Sequence, residues 1–406
     1  MIKEKFTIPA AISLALDDIG WFRGGDDRLA DDGEPSRTGM RRGPEVGGLH
    51  CLQDYPVVNE IGKRVNMKIN MMFVIGEWDR KHILRNVPYA CKAGKNWDTA
   101  SFLDIEKAEE IRDFVNGAEY MELGVHGLLH NFWAEGKWVS GQEYFPPAGL
   151  VPPNGPNDPA DFVPLDVNNI DPLKNPRELA PEWLLRAHFD AFMEIYNDWG
   201  FKGELRTFTS PSGPRNAGEA DTLANVLKDY GVKYWHNGKL PSTVRHGIIL
   251  NPKTGAIGPW EAYDMNPTTL PLRDPKTTGI IGGNWVNLLR YDPDCNMERV
   301  DDWANWIDRH GEVFGIMLAR DVVFSHHQQL YWSYAKVEGI PGGVRIDLTE
   351  ADALLGNLEK APLYISIKKG EPVPSCQGGI LTEYERRENH INYKLQRTGE
   401  SVLILK

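Results

Sequence analysis

Short apolar runs alternate with helical segments in the first third of the chain, and this order limits the fold more than any other feature. The runs Ala10–Leu16, Met67–Val74 and Tyr120–Gly124 have the length of buried β-strands. The intervening segments Gln53–Val65 and Asp104–Asn116 are predicted helices, and the second has apolar residues at helical spacing. Strands that alternate with helices build a parallel sheet or a barrel. The sequence therefore predicts an α/β fold.

The alternation continues beyond the first third and then gives way to a β-rich C-terminal region. Further predicted helices are Pro181–Trp199, Gly218–Tyr230 and Val300–His310. Further predicted strands are Leu205–Thr209, Val232–Trp235, Ile248–Leu250, one within Gly279–Leu288 and an apolar run within Val313–Phe324. We expect a catalytic domain over residues 1–335 and a β-rich region over 336–406, in which 397–400 form a hairpin turn. The irregular insertion 132–181 is either a lid or cleft wall, or a neutral surface excursion.

Polar residues follow two of the predicted strands. Asp17 and Asp18 end the first, and His126 and His130 follow the third. The carboxyl ends of parallel strands meet at one edge of a sheet, where ligands bind. Two histidines four residues apart on a helix or helical turn can reach one ion, although exposed or capping roles are the common alternative. An aspartate with two histidines leaves room for water on a metal, so the sequence predicts a divalent-metal site.

Composition narrows the range of partners and compartments. The chain is 41% apolar and 25% charged, as in globular proteins, and its net charge of -12 argues against binding nucleic acid. No apolar stretch is long enough to span a membrane, and the N-terminus resembles a signal peptide only superficially. The four cysteines lie far apart without a CxxC pair, so they indicate neither a zinc cluster nor an oxidising compartment. The compartment stays open, with the cytoplasm as the default.

Four motifs occur in an order that resembles the polysaccharide deacetylase family, the NodB homology domain. They are LALDD, HGLLH, FTSPSGP and DYGVKYW, and the resemblance covers about residues 12–328. It implies a distorted (β/α) barrel with a small C-terminal β appendage here. It also implies that Asp17 is the general base and Asp18 a metal ligand. His126 and His130 match the two histidine ligands of the family's second motif.

The later motifs depart from the family pattern or match it loosely. The third motif usually contains an arginine, whereas this chain has Thr209 near that position and its neighbouring arginines are out of register. The fourth motif implies that Trp235 lines the substrate groove. The fifth places a histidine after an apolar strand, which implies that His326, or His327 beside it, is the general acid. The alternative for both histidines is a capped strand end.

These residues together predict a metal-dependent hydrolase that removes acetyl or similar acyl groups from an N-acetylated carbohydrate. The metal polarises the acyl oxygen, a carboxylate takes a proton from water and a histidine protonates the leaving amine. Zinc is the first choice, with nickel, cobalt or manganese as alternatives. Candidate substrate contacts are Trp21, Trp133, Trp235 and His327, together with the loop 21–48. Two other functions stay open: a glycoside hydrolase that uses Asp17 or Asp18 in a carboxylate pair, and a degenerate carbohydrate-binding barrel.

Overall fold

The computed structural model describes residues 5–22, 51–156, 162–236, 242–259, 262–274 and 279–406. The helices among these residues are α1 (Asp54–Arg64), α2 (Ile105–Gly117), α3 (Glu182–Trp199), α4 (Ala217–Asp229), α5 (Val300–Phe314), α6 (Val322–Tyr334) and α7 (Thr349–Leu355). The strands are β1 (Phe6–Thr7), β2 (Ala11–Ile19), β3 (Ile69–Val74), β4 (Met121–Gly127), β5 (Phe132–Ala134), β6 (Lys137–Ser140), β7 (Thr207–Phe208), β8 (Tyr234–His236), β9 (Thr243–Arg245), β10 (Ile248–Asn251), β11 (Lys253–Ala256), β12 (Ile280–Asn284), β13 (Met317–Leu318), β14 (Lys336–Ile340), β15 (Gly343–Asp347), β16 (Leu363–Lys368), β17 (Cys376–Gln377), β18 (Gly379–Arg386), β19 (His390–Arg397) and β20 (Val402–Leu405).

One curled, mainly parallel sheet forms the centre of the molecule. Its strands follow the order β11-β12-β2-β3-β4-β7-β8-β10-β9, and the short β13 also pairs with β2. Within this sheet β9 pairs antiparallel with β10, whereas β2 pairs parallel with both β3 and β12. Only Pro252 separates β10 from β11, although β11 is the first strand in this order and β10 is the next to last. One continuous segment of the chain therefore contributes strands near both ends of the sheet. The fold is mixed α/β and compatible with an α/β barrel, as the alternation of elements predicts.

Apolar packing of the helices on the sheet positions the strand ends. Alternate side chains of β2, Ile12, Leu14 and Leu16, belong to the main core and are at most 2% exposed. Full burial of such a side chain stabilises the fold by about 1.5–3 kcal/mol. The predicted helices α1 to α5 are confirmed with small changes at their ends. Asp104 caps α2 by accepting the N–H of Lys107, as its position in the sequence predicts.

The prediction of an apolar strand that ends at His326 is wrong. β13 contains only two residues, and α6 begins soon afterwards. Asp321 accepts the N–H of Phe324 at 2.9 Å and so caps this helix, which places His326 inside its second turn. The β-branched pair at the start of α6 favoured a strand from composition alone, but the helix packs against β2, β8 and β10, and this packing outweighs the propensity.

The C-terminal region contains two four-stranded sheets. One has the order β14-β15-β20-β17, and the other has the order β1-β16-β19-β18. The predicted hairpin over 397–400 is wrong, because β19 and β20 lie in different sheets. Alternation of polar and apolar residues identifies a strand but not its partner. The N-terminal strand β1 also pairs with β16, so the first residues of the chain pack with the C-terminal region.

The insertion 132–181 begins as part of the main core. β5 and β6 form a small antiparallel sheet, and the side chains of Trp133, Tyr144 and Phe145 are at most 3% exposed. Residues 157–161 of the insertion lie outside the described residues. The first part of this segment is therefore packed in the interior, and its function as a cleft wall stays a prediction.

Candidate metal centre

Two β-bulges lie where the candidate metal ligands leave the sheet. In the pairing of β2 with β3, Leu16 and Ile19 face residues only two apart, so Asp17 and Asp18 together occupy the place of one residue. Asp18 has a φ of 68°, a conformation that aspartate tolerates better than most residues. A bulge of this kind turns a side chain out of the regular alternation of the strand. The first bulge thus gives the two adjacent carboxylates different surroundings.

The second bulge contains His126. Phe73 and Val74 of β3 face Val125 and Gly127 of β4, so His126 is the additional residue. Its Nδ1–H donates to the carbonyl of Thr209 at 2.6 Å, and its Nε2 lies 3.4 Å from Oδ1 of Asp18. A hydrogen bond from one ring nitrogen leaves the other free to bind a metal and fixes the orientation of the ring.

His130 reaches the same place from a bend after β4. The predicted helix or helical turn is wrong, because residues 128–130 form bends and His130 has a left-handed φ of 62°. Its Nε2 lies 3.7 Å from Oδ1 of Asp18. One donor atom each from Asp18, His126 and His130 lies within 4.8 Å of the others, so the group can hold a metal ion. A carboxylate with two imidazoles is a usual zinc ligand set with open positions.

The surroundings shift the pKa of each of the three candidate ligands. Burial raises the pKa of Asp18, but contacts with His126 and His130 outweigh this effect and hold that pKa below its usual value. Burial lowers the pKa of His130 against the attraction of Asp18, so its ring is kept neutral. Burial also lowers the pKa of His126, but the contact with Asp18 outweighs this and raises that pKa overall. A cation bound here would displace a proton from Nε2 of His126, because a ring nitrogen has to be deprotonated to bind a metal.

The second carboxylate, Asp17, pairs with a lysine that the sequence did not single out. Nζ of Lys253, on β11, contacts both carboxylate oxygens of Asp17. Lys253 therefore places a cation beside this carboxylate, whereas the arginines near the third motif lie elsewhere. Arg215 instead pairs with Glu219 on α4. Arg206 lines a separate cavity near the N-terminal ends of the strands.

A cavity of about 440 Å³ opens beside Asp17 and Lys253. Its other lining residues include His236 and small residues of two segments, 209–213 and 254–256. His236 ends β8, and burial, followed by the charges of His326 and Lys253, lowers its pKa well below the usual value. This histidine was missed because the predicted strand stopped one residue earlier. Its position at a strand end is the same signal that identified His126.

The structure separates several predicted site residues from this cavity. His326 lies behind it, with its ring centroid 5.2 Å from that of His236, and burial lowers its pKa to about 3. A buried, neutral ring outside the cavity is unsuited to the expected acid role. His327 lines the cavity at the opposite end of the strands, and its ring nitrogens lie 3.0 Å from the carbonyls of Val323 and Glu359.

The tryptophans predicted to contact the substrate are buried. Trp21, Trp133 and Trp235 are 4%, 3% and 0% exposed, and each belongs to the buried part of the molecule. An indole with so little exposed surface is unable to stack on a sugar ring without a change of structure. The predicted substrate loop after residue 22 lies outside the described residues.

Glu143 is a second group that the sequence did not reveal. Its carboxylate is 1% exposed and accepts the backbone N–H groups of Leu128, Leu129 and His130. It lies in the irregular insertion, 13 residues after His130, at a spacing that carries no recognisable signal.

Comparison with known proteins gives no assignment for this chain. A scan against models of protein families finds no match. A search among curated proteins finds no similar sequence. Within the part of the chain that the structure describes, no helix has the length and apolar character needed to cross a membrane.

Proposed function

We propose that the chain is a metal-dependent hydrolase that removes an acetyl or similar small acyl group from an N-acylated substrate, with N-acetylated carbohydrates as the substrate class. One observation carries the proposal: Asp17, a carboxylate outside the candidate metal-binding group, lies directly next to Asp18, which belongs to that group, and beside an open cavity. Amide hydrolysis needs a base of this kind next to an electrophilic centre.

The residues of the cluster fit a divalent cation. Asp18, His126 and His130 would hold it, with zinc as the first choice. When bound, such a cation supplies Lewis-acid polarisation of the acyl oxygen and makes water more acidic. The Thr209 carbonyl keeps the ring of His126 in the tautomer that presents Nε2.

In this proposal, Asp17 transfers a proton from the attacking water to the leaving nitrogen. It accepts one from the attacking water as the oxygen adds to the acyl carbon, and the contact with Lys253 keeps its oxygens fixed beside the cavity. The carbon–nitrogen bond then breaks, and the leaving nitrogen needs a proton. Because His326 lies behind the cavity wall, we assign this second transfer to the protonated Asp17 as well. The products are a carboxylic acid and an amine.

The test is release of acetate from N-acetylglucosamine oligomers by the zinc-loaded chain, measured by proton NMR. We expect a chelator to stop the release and zinc to restore it. Asp17→Asn should keep its zinc and lose at least about 10³-fold in kcat, since it removes the base, whereas Asp18→Asn should lose both zinc and turnover. Release that is insensitive to chelation, or an active Asp17→Asn variant, would contradict the proposal. Binding of the oligomers without turnover would select the degenerate binding barrel instead.

A further inference from the structure

The carboxylate of Glu143 lies at the centre of the turn that carries His130. Oε2 accepts N–H groups from Leu128 at 2.8 Å, Leu129 at 3.1 Å and His130 at 2.9 Å. Successive backbone N–H groups that converge on one anion form a concave nest. This geometry fixes the path of the chain from the end of β4 to the candidate metal ligand.

The turn depends on the carboxylate for its shape. His130 has a left-handed φ of 62°, which is uncommon for a residue with a side chain. At Gly127 there is no room for a side chain, because a Cβ there would lie 2.4 Å from Oε2 of Glu143. Without the negative charge at this place, the three buried N–H groups would lose their charge-assisted hydrogen bonds, and the turn would be expected to rearrange.

A buried histidine holds the carboxylate from the other side. Nδ1 of His188 on α3 lies 3.0 Å from Oε1 of Glu143, and its Nε2 lies 3.0 Å from the carbonyl of Pro88. The side chains of Glu143 and His188 are each 1% exposed. The long helix α3 and the loop at residue 88 therefore fix the position of the carboxylate, and the carboxylate fixes the turn.

We propose that Glu143 is a positioning residue for the metal centre, acting through the backbone of His130 and held in place by His188. The two rings of the centre are then oriented by different means. The ring of His126 is oriented by the Thr209 carbonyl, whereas the 29% exposed side chain of His130 depends on where the turn places its backbone. Groups behind metal ligands commonly change metal affinity 10–100-fold when they are removed. The insertion 132–181 thus contributes to the metal centre, and the proposal rests on the proposed function of that centre.

The test compares zinc affinity, measured by competition with a chelating dye, and the visible spectrum of the cobalt-substituted full chain. Glu143→Gln keeps the size of the side chain but removes the anion, and we expect zinc affinity to fall about 10–100-fold and the cobalt spectrum to change. Asp79→Asn is the matched control, since the Asp79 carboxylate is also buried and accepts the N–H groups of Ile83 and Leu84 at 2.8 Å. We expect the control to lose stability with zinc affinity unchanged within about twofold.

Two further outcomes decide the proposal. Should Glu143→Gln fail to fold, His188→Gln provides the second test, and we expect a smaller loss of zinc affinity with the same change in the cobalt spectrum. A folded Glu143→Gln or His188→Gln variant with the wild-type affinity and spectrum overturns the role of Glu143. Equal losses in Asp79→Asn also overturn it, because the effect would then be general destabilisation. A wild-type chain that binds neither zinc nor cobalt refutes the metal centre itself, and the role of Glu143 with it.

Discussion

Gly20 directly follows β2 and packs closely against β3. Because Gly20 is two residues from Asp18, its replacement by alanine should disturb the candidate metal centre. Its φ of 111° is unfavourable for a residue with a side chain. An added Cβ would lie 2.3 Å from Cε2 of Phe73 and 2.4 Å from the carbonyl oxygen of Val74. The ring can turn aside, but the backbone oxygen belongs to the sheet, so the end of β2 has to move away from β3.

The expected loss of stability is the sum of two costs. The backbone conformation costs ~1–3 kcal/mol, and overpacking costs ~1–3 kcal/mol, so Gly20→Ala should lower the free energy of unfolding by about 4 kcal/mol. Asp18 moves with the end of β2, whereas His126 remains on β4. We therefore expect a tenfold loss of zinc affinity, equivalent to ~1.4 kcal/mol.

Urea unfolding with and without zinc measures both quantities. Gly149→Ala is the matched control, because Gly149 has a φ of 77° and an added Cβ there meets no described atom within 4 Å. The control carries the conformational cost alone, about 1 kcal/mol or slightly more. Equal losses of stability in the two variants, or unchanged zinc affinity in Gly20→Ala, would refute the reasoning.

Two further predictions concern Lys253 and Glu122. Lys253→Met should lower kcat about 100-fold with zinc content unchanged, because Asp17 loses the group that holds it in place. Lys253→Arg keeps the positive charge and should retain more activity. Equal kcat values in the wild type and both variants would contradict this prediction. Burial raises the pKa of Glu122 from 4.5 to about 7, against the N–H bond from Val322. The folded chain therefore binds the extra proton, and this group lowers stability as the pH rises from 4.5 to about 7. In urea unfolding, Glu122→Gln should show a weaker decline over that range, and an unchanged slope would exclude the assignment.

The order of elements could be predicted because each buried strand and amphipathic helix carries a local signal. Helix α2, for example, combines an N-cap at Asp104 with helical spacing of its apolar residues. Pairing between distant strands carries no such signal, which is why β19 and β20 were expected to form one hairpin. The start of α6 was wrongly predicted as a strand, because the two valines at its N-terminus favour a strand when their tertiary contacts are unknown.

The difference between local and long-range signals also explains which residues of the candidate site could be predicted. Asp18 lies near the end of β2, and His126 and His130 lie at and after the end of β4, with β3 between these two strands. The rule that ligands bind at the carboxyl ends of strands therefore brings the three residues together. Lys253 and Glu143 act on these residues from elements far away in the sequence, and neither lies in a motif. His236 was within reach of sequence reasoning, since it directly follows the predicted strand Val232–Trp235 and ends the observed one. The burial of the three tryptophans could not be predicted, because burial depends on the whole fold rather than on neighbouring residues.

Diffraction from crystals of the zinc-loaded chain, measured at the zinc absorption edge, would test the metal centre most directly. One anomalous peak is expected at about 2.0–2.2 Å from a carboxylate oxygen of Asp18 and from Nε2 of both His126 and His130, with Asp17 outside that coordination shell. A peak bound by other residues, or none between these three side chains, would contradict the account.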